Sequence, residues 1–230
     1  MKSGSIRLCA YAGLTAMTLM FIAMWPFWHI LPPPSPNMPL EQMADHFRLR
    51  PTSIITGGVL MMLGASLYFL FFGGLVACLK KMEGPVAPLT TAVALIVPFG
   101  FFPLFAMAVF FIESVFRPGL SSETIRVLAD LGIFMLVIPG LPGLIQFVTT
   151  GFIILGDINP QPIFPRWIGY FNIWVGILSI PGCLVAYFKT GPFAWNGILA
   201  FWVPAVIFGI LMNVTAFAMI NAEKRGALNG

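Results

Sequence analysis

Six apolar runs, at about 8–31, 53–79, 88–112, 127–156, 167–188 and 197–220, dominate this chain of 230 residues. About 20 apolar residues of helix cross a hydrocarbon core of about 30 Å, and each run meets that length. No water is available inside a bilayer to satisfy peptide groups, so an open-ended crossing element must be a helix. A barrel would need strands alternating between lipid-facing and lumen-facing residues, a pattern these runs lack. The chain therefore reads as all-α: a single transmembrane domain over 1–230, a polytopic membrane helix bundle of about six transmembrane helices. Composition agrees, with 59% hydrophobic residues and only 9% charged, against roughly 25% charged in soluble domains. The first run, "LCAYAGLTAMTLMFIAMWPFWHIL", follows Lys2 and Arg7 as a signal peptide would. It is too long for the apolar region of such a signal and lacks a small-x-small cleavage site, so it is expected to stay as a helix.

Orientation follows from where lysine and arginine fall beside the runs. Lys2, Arg7, Lys80, Lys81, Arg166, Lys224 and Arg225 collect on one side, against Arg48, Arg50, Arg117, Arg126 and Lys189 on the other. The doublets Lys80-Lys81 and Lys224-Arg225 abut helix ends, where they count most. The N- and C-termini are therefore expected in the cytoplasm of a multi-pass inner-membrane protein, with 32–52 and 113–126 extracytoplasmic. The first of these segments opens as "PPPSP", stiff because stacked prolines fix φ and donate no backbone hydrogen bond. It is expected to continue as a short surface helix over Leu40–Phe47. The second breaks at Pro118-Gly119 and restarts at Ser121 or Ser122, good N-cap residues, with Glu123 in the first turn. The net charge of +4 is scattered, which gives nucleic-acid binding no footprint.

Three patterns within the runs carry the functional reading. In the fifth, Gly169, Asn172, Gly176, Ser179, Cys183 and Ala186 recur at alternating spacings of three and four, one face of a helix. Small side chains there permit close helix approach, and Ala205, Gly209, Asn213 and Ala216 offer a matching face on the sixth. An access path lined by small residues is the other reading of the same stripe. The second pattern is a set of amides and hydroxyls: Gln146, Thr150, Asn172 and Asn213 sit at comparable depths, Asn172 and Asn213 roughly 8–12 Å below the surface. Polar groups in hydrocarbon need partners, so the four are expected to converge, either as interhelical glue or as the polar anchor of a bound ligand.

The third pattern is proline inside spans: Pro98 and Pro103, Pro139 and Pro142, Pro181, and Pro204. Each deletes a backbone bond and strands a carbonyl one turn earlier. "IPGLPGL" is the severest interruption. Such breaks are either tolerated kinks or the walls of a cavity, as in many transporters. Between the fifth and sixth runs, "KTGPFAWNG" reads as an outer anchor. Lys189 snorkels to headgroups, Trp195 joins the interfacial aromatic belt, and Asn196 caps the last helix. The alternative is an anionic group received by the free helix donors beside Lys189.

Several chemistries are disfavoured. The two histidines, His29 and His46, are too few for a membrane di-iron site and are poorly placed for a bis-histidine haem. Glu41, Asp45 and His46 share a helix face that suits a metal or equally a solvated surface helix. The three cysteines are far apart and read as packing residues. No nucleophile–base pair can be named, and no catalytic residue, metal or cofactor is expected.

The strings "PPPSP", "FPRWIGYFNIWV", "YFKTGPFAWNG" and "LAFWVPAVIFG" resemble an uncharacterised family of small bacterial polytopic inner-membrane proteins. Its members occur in actinobacteria and in proteobacteria that degrade hydrocarbons or steroids. The resemblance covers most of the chain and implies a bacterial inner membrane and an association with apolar compounds. It implies no activity or catalytic residue. Together these features point to a non-enzymatic membrane protein, either an accessory subunit or a binder of apolar small molecules. A small dimeric transporter of a hydrophobic or amphipathic solute is the alternative. The expected partners are the lipid bilayer, a second copy or other membrane subunits, and an apolar small molecule.

Overall fold

The computed structural model describes residues 4–228, and Lys2 lies outside them. The described residues are all-helical, with six helices long and apolar enough to cross a membrane. The first span is α1 (Ser5–Ile22), continued by a π-helical turn, Ala23–Phe27. A short helix α2 (Leu40–Arg48) precedes the two long unbroken spans α3 (Pro51–Glu83) and α4 (Pro88–Phe116). The fourth span is split into α5 (Ser122–Val137) and α6 (Gly140–Leu155). The fifth is α7 (Arg166–Leu178), followed by a 3₁₀ segment, Ile180–Ala186. The sixth begins as a π segment, Ile198–Trp202, and becomes α8 (Val203–Lys224).

Proline explains most of these changes of winding. Proline offers no amide and its ring crowds the carbonyl four residues earlier, so the chain must re-register its bonds or stop. Pro26 falls within the first π turn, Pro139 between α5 and α6, Pro181 in the 3₁₀ segment, and Pro204 just after the second π segment. Pro98 and Pro103 are accommodated within a continuous α4. At the start of α5, the Ser121 hydroxyl accepts the Thr124 amide at 3.2 Å, a side-chain N-cap.

In the bundle, α3 packs between α1 and α4, α4 runs against α5 and α6, and α8 closes the ring between α1 and α7. One close seam joins α6 to α7. A Cβ on Gly151 would stand 2.7 Å from the Gly169 carbonyl, and one on Gly176 would stand 3.1 Å from the Leu144 carbonyl. The small-residue stripe therefore seats Gly169 and Gly176 on the second half of the fourth span. The match to the sixth span does not form, because Gly209 lies nearest Met17 of α1. Backbone contact of this kind gains dispersion energy that larger side chains would prevent.

Each end of the bundle is tied by polar contacts. At the terminal end, Glu223 accepts the amides of Gly4 and Arg7 and the Arg7 Nε at 2.8 Å, joining the first helix to the last. Arg225 donates to the Ile163 carbonyl there, and Asn159 to that of Lys81. At the opposite end, Arg126 donates to the carbonyls of Pro36 and Met38 at 2.6 and 2.7 Å, and Arg48 to the Ser122 hydroxyl. Helix α2 buries Met43, Ala44 and Phe47, with the Phe47 ring edge-on to Phe111. Its acidic and imidazole groups take separate partners. Arg48 meets Asp45 at 3.3 Å, Ser122 donates to Glu41, and His46 contacts the Trp28 carbonyl at 2.7 Å.

Two predictions follow from this packing. Gly151→Val drives a branched side chain into the Gly169 backbone, and overpacking should cost about 1–3 kcal/mol; reversible unfolding in mixed micelles measures it. His46 is the second. Its Nε2–H donates to the Trp28 carbonyl while Arg50 approaches Nδ1, so the neutral ring fits the fold. Burial pushes its pKa below the ordinary 6.5, outweighing the Trp28 carbonyl, which favours the cation. A lowered folded value means the stabilisation is complete above about pH 6.5 and is lost as pH falls towards the folded value. The melting temperature should therefore fall more steeply between about pH 7 and pH 5 in the wild type than in His46→Gln.

Candidate ligand cavity

The interrupted spans fail to close on one another, and a cavity of about 370 Å³ lies between them. Its position follows from the breaks. Pro139, Gly140 and Gly143 line it where the fourth span restarts, Ser179 and Gly182 where the fifth changes winding, and Ala200, Phe201, Trp202 and Pro204 where the sixth begins. The broken pieces interlock through glycines: a Cβ on Gly140 would collide with the Ser179 carbonyl, and one on Gly182 would lie 2.8 Å from that of Val137. These contacts hold the interrupted segments while leaving the hollow inside.

The wall is apolar and polarizable. Met17, Met20 and Met24 from the first span face Met61 of α3, and Phe101, Phe147, Phe201 and Phe208 supply rings. Tyr68 stands behind them. Its ring stacks on Phe101 at 4.2 Å and its hydroxyl donates to Met17 Sδ, so two wall residues are held from outside. Lining residues include no Asp, Glu, Lys, Arg or His, as suits a group that would otherwise pay heavily for burial. Two lining side chains carry an amide or a hydroxyl. Ser179 donates to the Val175 carbonyl of its own helix at 2.7 Å. Gln146, only 2% exposed, has no hydrogen-bond partner for its side chain among the described residues. A bare primary amide in such a place leaves two donors and one acceptor for whatever fills the hollow.

The exposed lining residues locate the mouth. Phe21 of α1 is 51% exposed and Val206 of α8 is 55% exposed, with Ala205 beside it. The opening thus lies between the first and last spans, on the outward surface that lipid would cover. Both posts of this doorway carry a π-helical turn, Ala23–Phe27 and Ile198–Trp202. Such turns widen a helix and recur at functional sites.

Of the four polar residues expected to converge, Gln146 alone reaches the cavity. Thr150 is buried one turn away and donates to the Gln146 carbonyl, while buried Asn172 donates to that of Ile168. Asn213 is exposed and donates to Gly209. The four do not converge: each of these three donates to a carbonyl four residues back in its own helix instead of across helices. Ser179, expected as packing, belongs to the wall. Met17, Met20 and Met24 also line the wall, and their spacing of three and four on one helix face is the signal the sequence carries for it.

The outer anchor also differs from expectation. Trp195 is 4% exposed, donates to the Pro34 carbonyl at 2.7 Å and meets Phe134 edge-on. It therefore pins the polyproline segment to the bundle in place of sitting in the aromatic belt. Asn196 makes no cap. The residue before the sixth span's first turn is Gly197, and the free amides of Leu199 and Ala200 are taken by the Pro192 carbonyl at 3.0 and 3.2 Å. Those two amides are therefore not free to receive an anion. Lys189 is exposed, and its carbonyl receives Asn37. No family model, curated protein or solved structure matches the chain.

Trp195→Phe keeps the ring against Phe134 and removes the bond to Pro34. It should cost about 1–2 kcal/mol and speed hydrogen exchange at Met38, whose amide is bonded to Ser35. Exchange unchanged from wild type would mean that Arg126 alone holds the segment.

Proposed function

We propose that this multi-pass membrane protein takes an apolar small molecule from the surrounding lipid and holds it in the cavity between its broken spans. The observation that carries the reading is the coincidence of three proline breaks, an apolar wall and a mouth facing lipid. The volume lies within the roughly 300–1,000 Å³ range of small-molecule sites. The small-residue stripe, which would serve an accessory subunit, is already spent on the α6–α7 seam. Placement in a bacterial inner membrane, with the terminal end cytoplasmic, belongs to the same proposal. It rests on the distribution of lysine and arginine and on the resemblance of the sequence to small bacterial membrane proteins.

The test uses protein captured from membranes directly into lipid nanodiscs, extracted with solvent and profiled by mass spectrometry. The expected result is a neutral apolar molecule near one per protein, above empty discs from the same membranes. Ala205→Trp fills the mouth from an exposed position and should lower occupancy on the order of tenfold without lowering the melting temperature. Equal content in protein-loaded and empty discs would overturn the reading.

A further inference from the structure

The mouth faces the surface that lipid would cover, so a ligand must outcompete acyl chains for the cavity. Moving hydrocarbon from bilayer to cavity gains almost no hydrophobic free energy, because lipid tails are as apolar as the wall. Selectivity must come from something an acyl chain lacks. Gln146 supplies it: a buried amide with no partner for its side chain among the described residues, in the wall of the cavity. Leaving such a group unsatisfied is costly, and an incoming hydroxyl or carbonyl removes that cost. The lining has no ionisable side chain to neutralise a charge, so an ionised ligand is penalised by desolvation. The rings of Phe147 and Phe101 each lie beside that of Phe208, with centroids 6.0 and 6.3 Å away, and together with Trp202 they give the wall an aromatic side. Their spacing is kept by Tyr68 behind Phe101. A rigid body loses less conformational entropy on entering this walled space than an acyl chain does.

Resting on the cavity reading above, we infer that the ligand class is a neutral, rigid, ring-containing molecule with a hydroxyl or carbonyl that bonds to Gln146, its apolar body extending towards Phe21 and Val206. Gln146 both donates and accepts, so it serves a ketone through its NH₂ and an alcohol through its carbonyl oxygen. It is a specificity residue: it discriminates oxygenated from bare hydrocarbon and leaves the cavity itself unchanged.

Three probes of one skeleton test this: phenylcyclohexane, 4-phenylcyclohexanol and 4-phenylcyclohexanone. Binding to protein in nanodiscs is measured by equilibrium dialysis and corrected for uptake by empty discs. Wild type should hold the alcohol and the ketone on the order of tenfold more tightly than the hydrocarbon. Gln146→Leu should bind all three alike, at the hydrocarbon's level. Gln146→Met serves if the leucine variant does not assemble. Equal binding of the three by wild type, or a preference that survives in the variants, overturns the inference while the cavity reading stands. No uptake of any probe above empty discs overturns the cavity reading itself.

Discussion

Every peptide group buried in hydrocarbon must find a partner inside the protein, and this chain places prolines in spans where that demand is hardest to meet. The rest of the structure is arranged around that conflict. In α4 the helix absorbs Pro98 and Pro103 without a break. Around Pro26, Pro139, Pro181 and Pro204 it changes winding or stops. Three of these interruptions line one hollow from the fourth, fifth and sixth spans, and the turn around Pro26 adds Met24 from the first. Helices that change direction at the same level cannot fill the space between them, so the cavity is a geometric consequence of satisfying backbone bonds elsewhere.

What keeps that hollow from collapsing is the stiffness of its surroundings. The α6–α7 seam is in near backbone contact through Gly151, Gly169 and Gly176. The terminal end is closed by Glu223 of the last helix, which accepts from Gly4 and Arg7 at the start of the first. The other end is covered by the polyproline segment, held by Arg126 and Trp195. Charged and indole groups thus act at the two faces of the bundle, where water can share their solvation, and the middle is left to methionine, phenylalanine and a single free amide. The doorway lies between α1 and α8, the two helices that Glu223 ties together at the terminal end.

Much of the fold was legible in the chain because lipid imposes a simple rule on length and apolarity. The run at 127–156 was readable as one span, and "IPGLPGL" as its break, since proline acts locally whatever surrounds it. The polar residues were harder. Asn172, Thr150 and Asn213 were all expected to seek partners across helices, yet each back-bonds to the carbonyl four residues earlier. Sequence spacing gives depth and face but cannot tell an amide that donates within its own helix from one whose side chain bonds to nothing, as Gln146 does. Trp195 shows the same gap: its position suited the interface, and only the distant Pro34 carbonyl explains its burial.

The sequence by itself determined six helices, their order, the places where they must break, and the grouping of basic residues at opposite ends. These follow from properties of single segments in a bilayer. Only the tertiary structure decided which breaks meet, that the glycine stripe of the fifth span lies on the fourth, and that Gln146 is left without a partner at the wall of a lipid-facing cavity. Those facts depend on distances between segments far apart in the chain, and such distances are fixed by the packing of whole helices against one another.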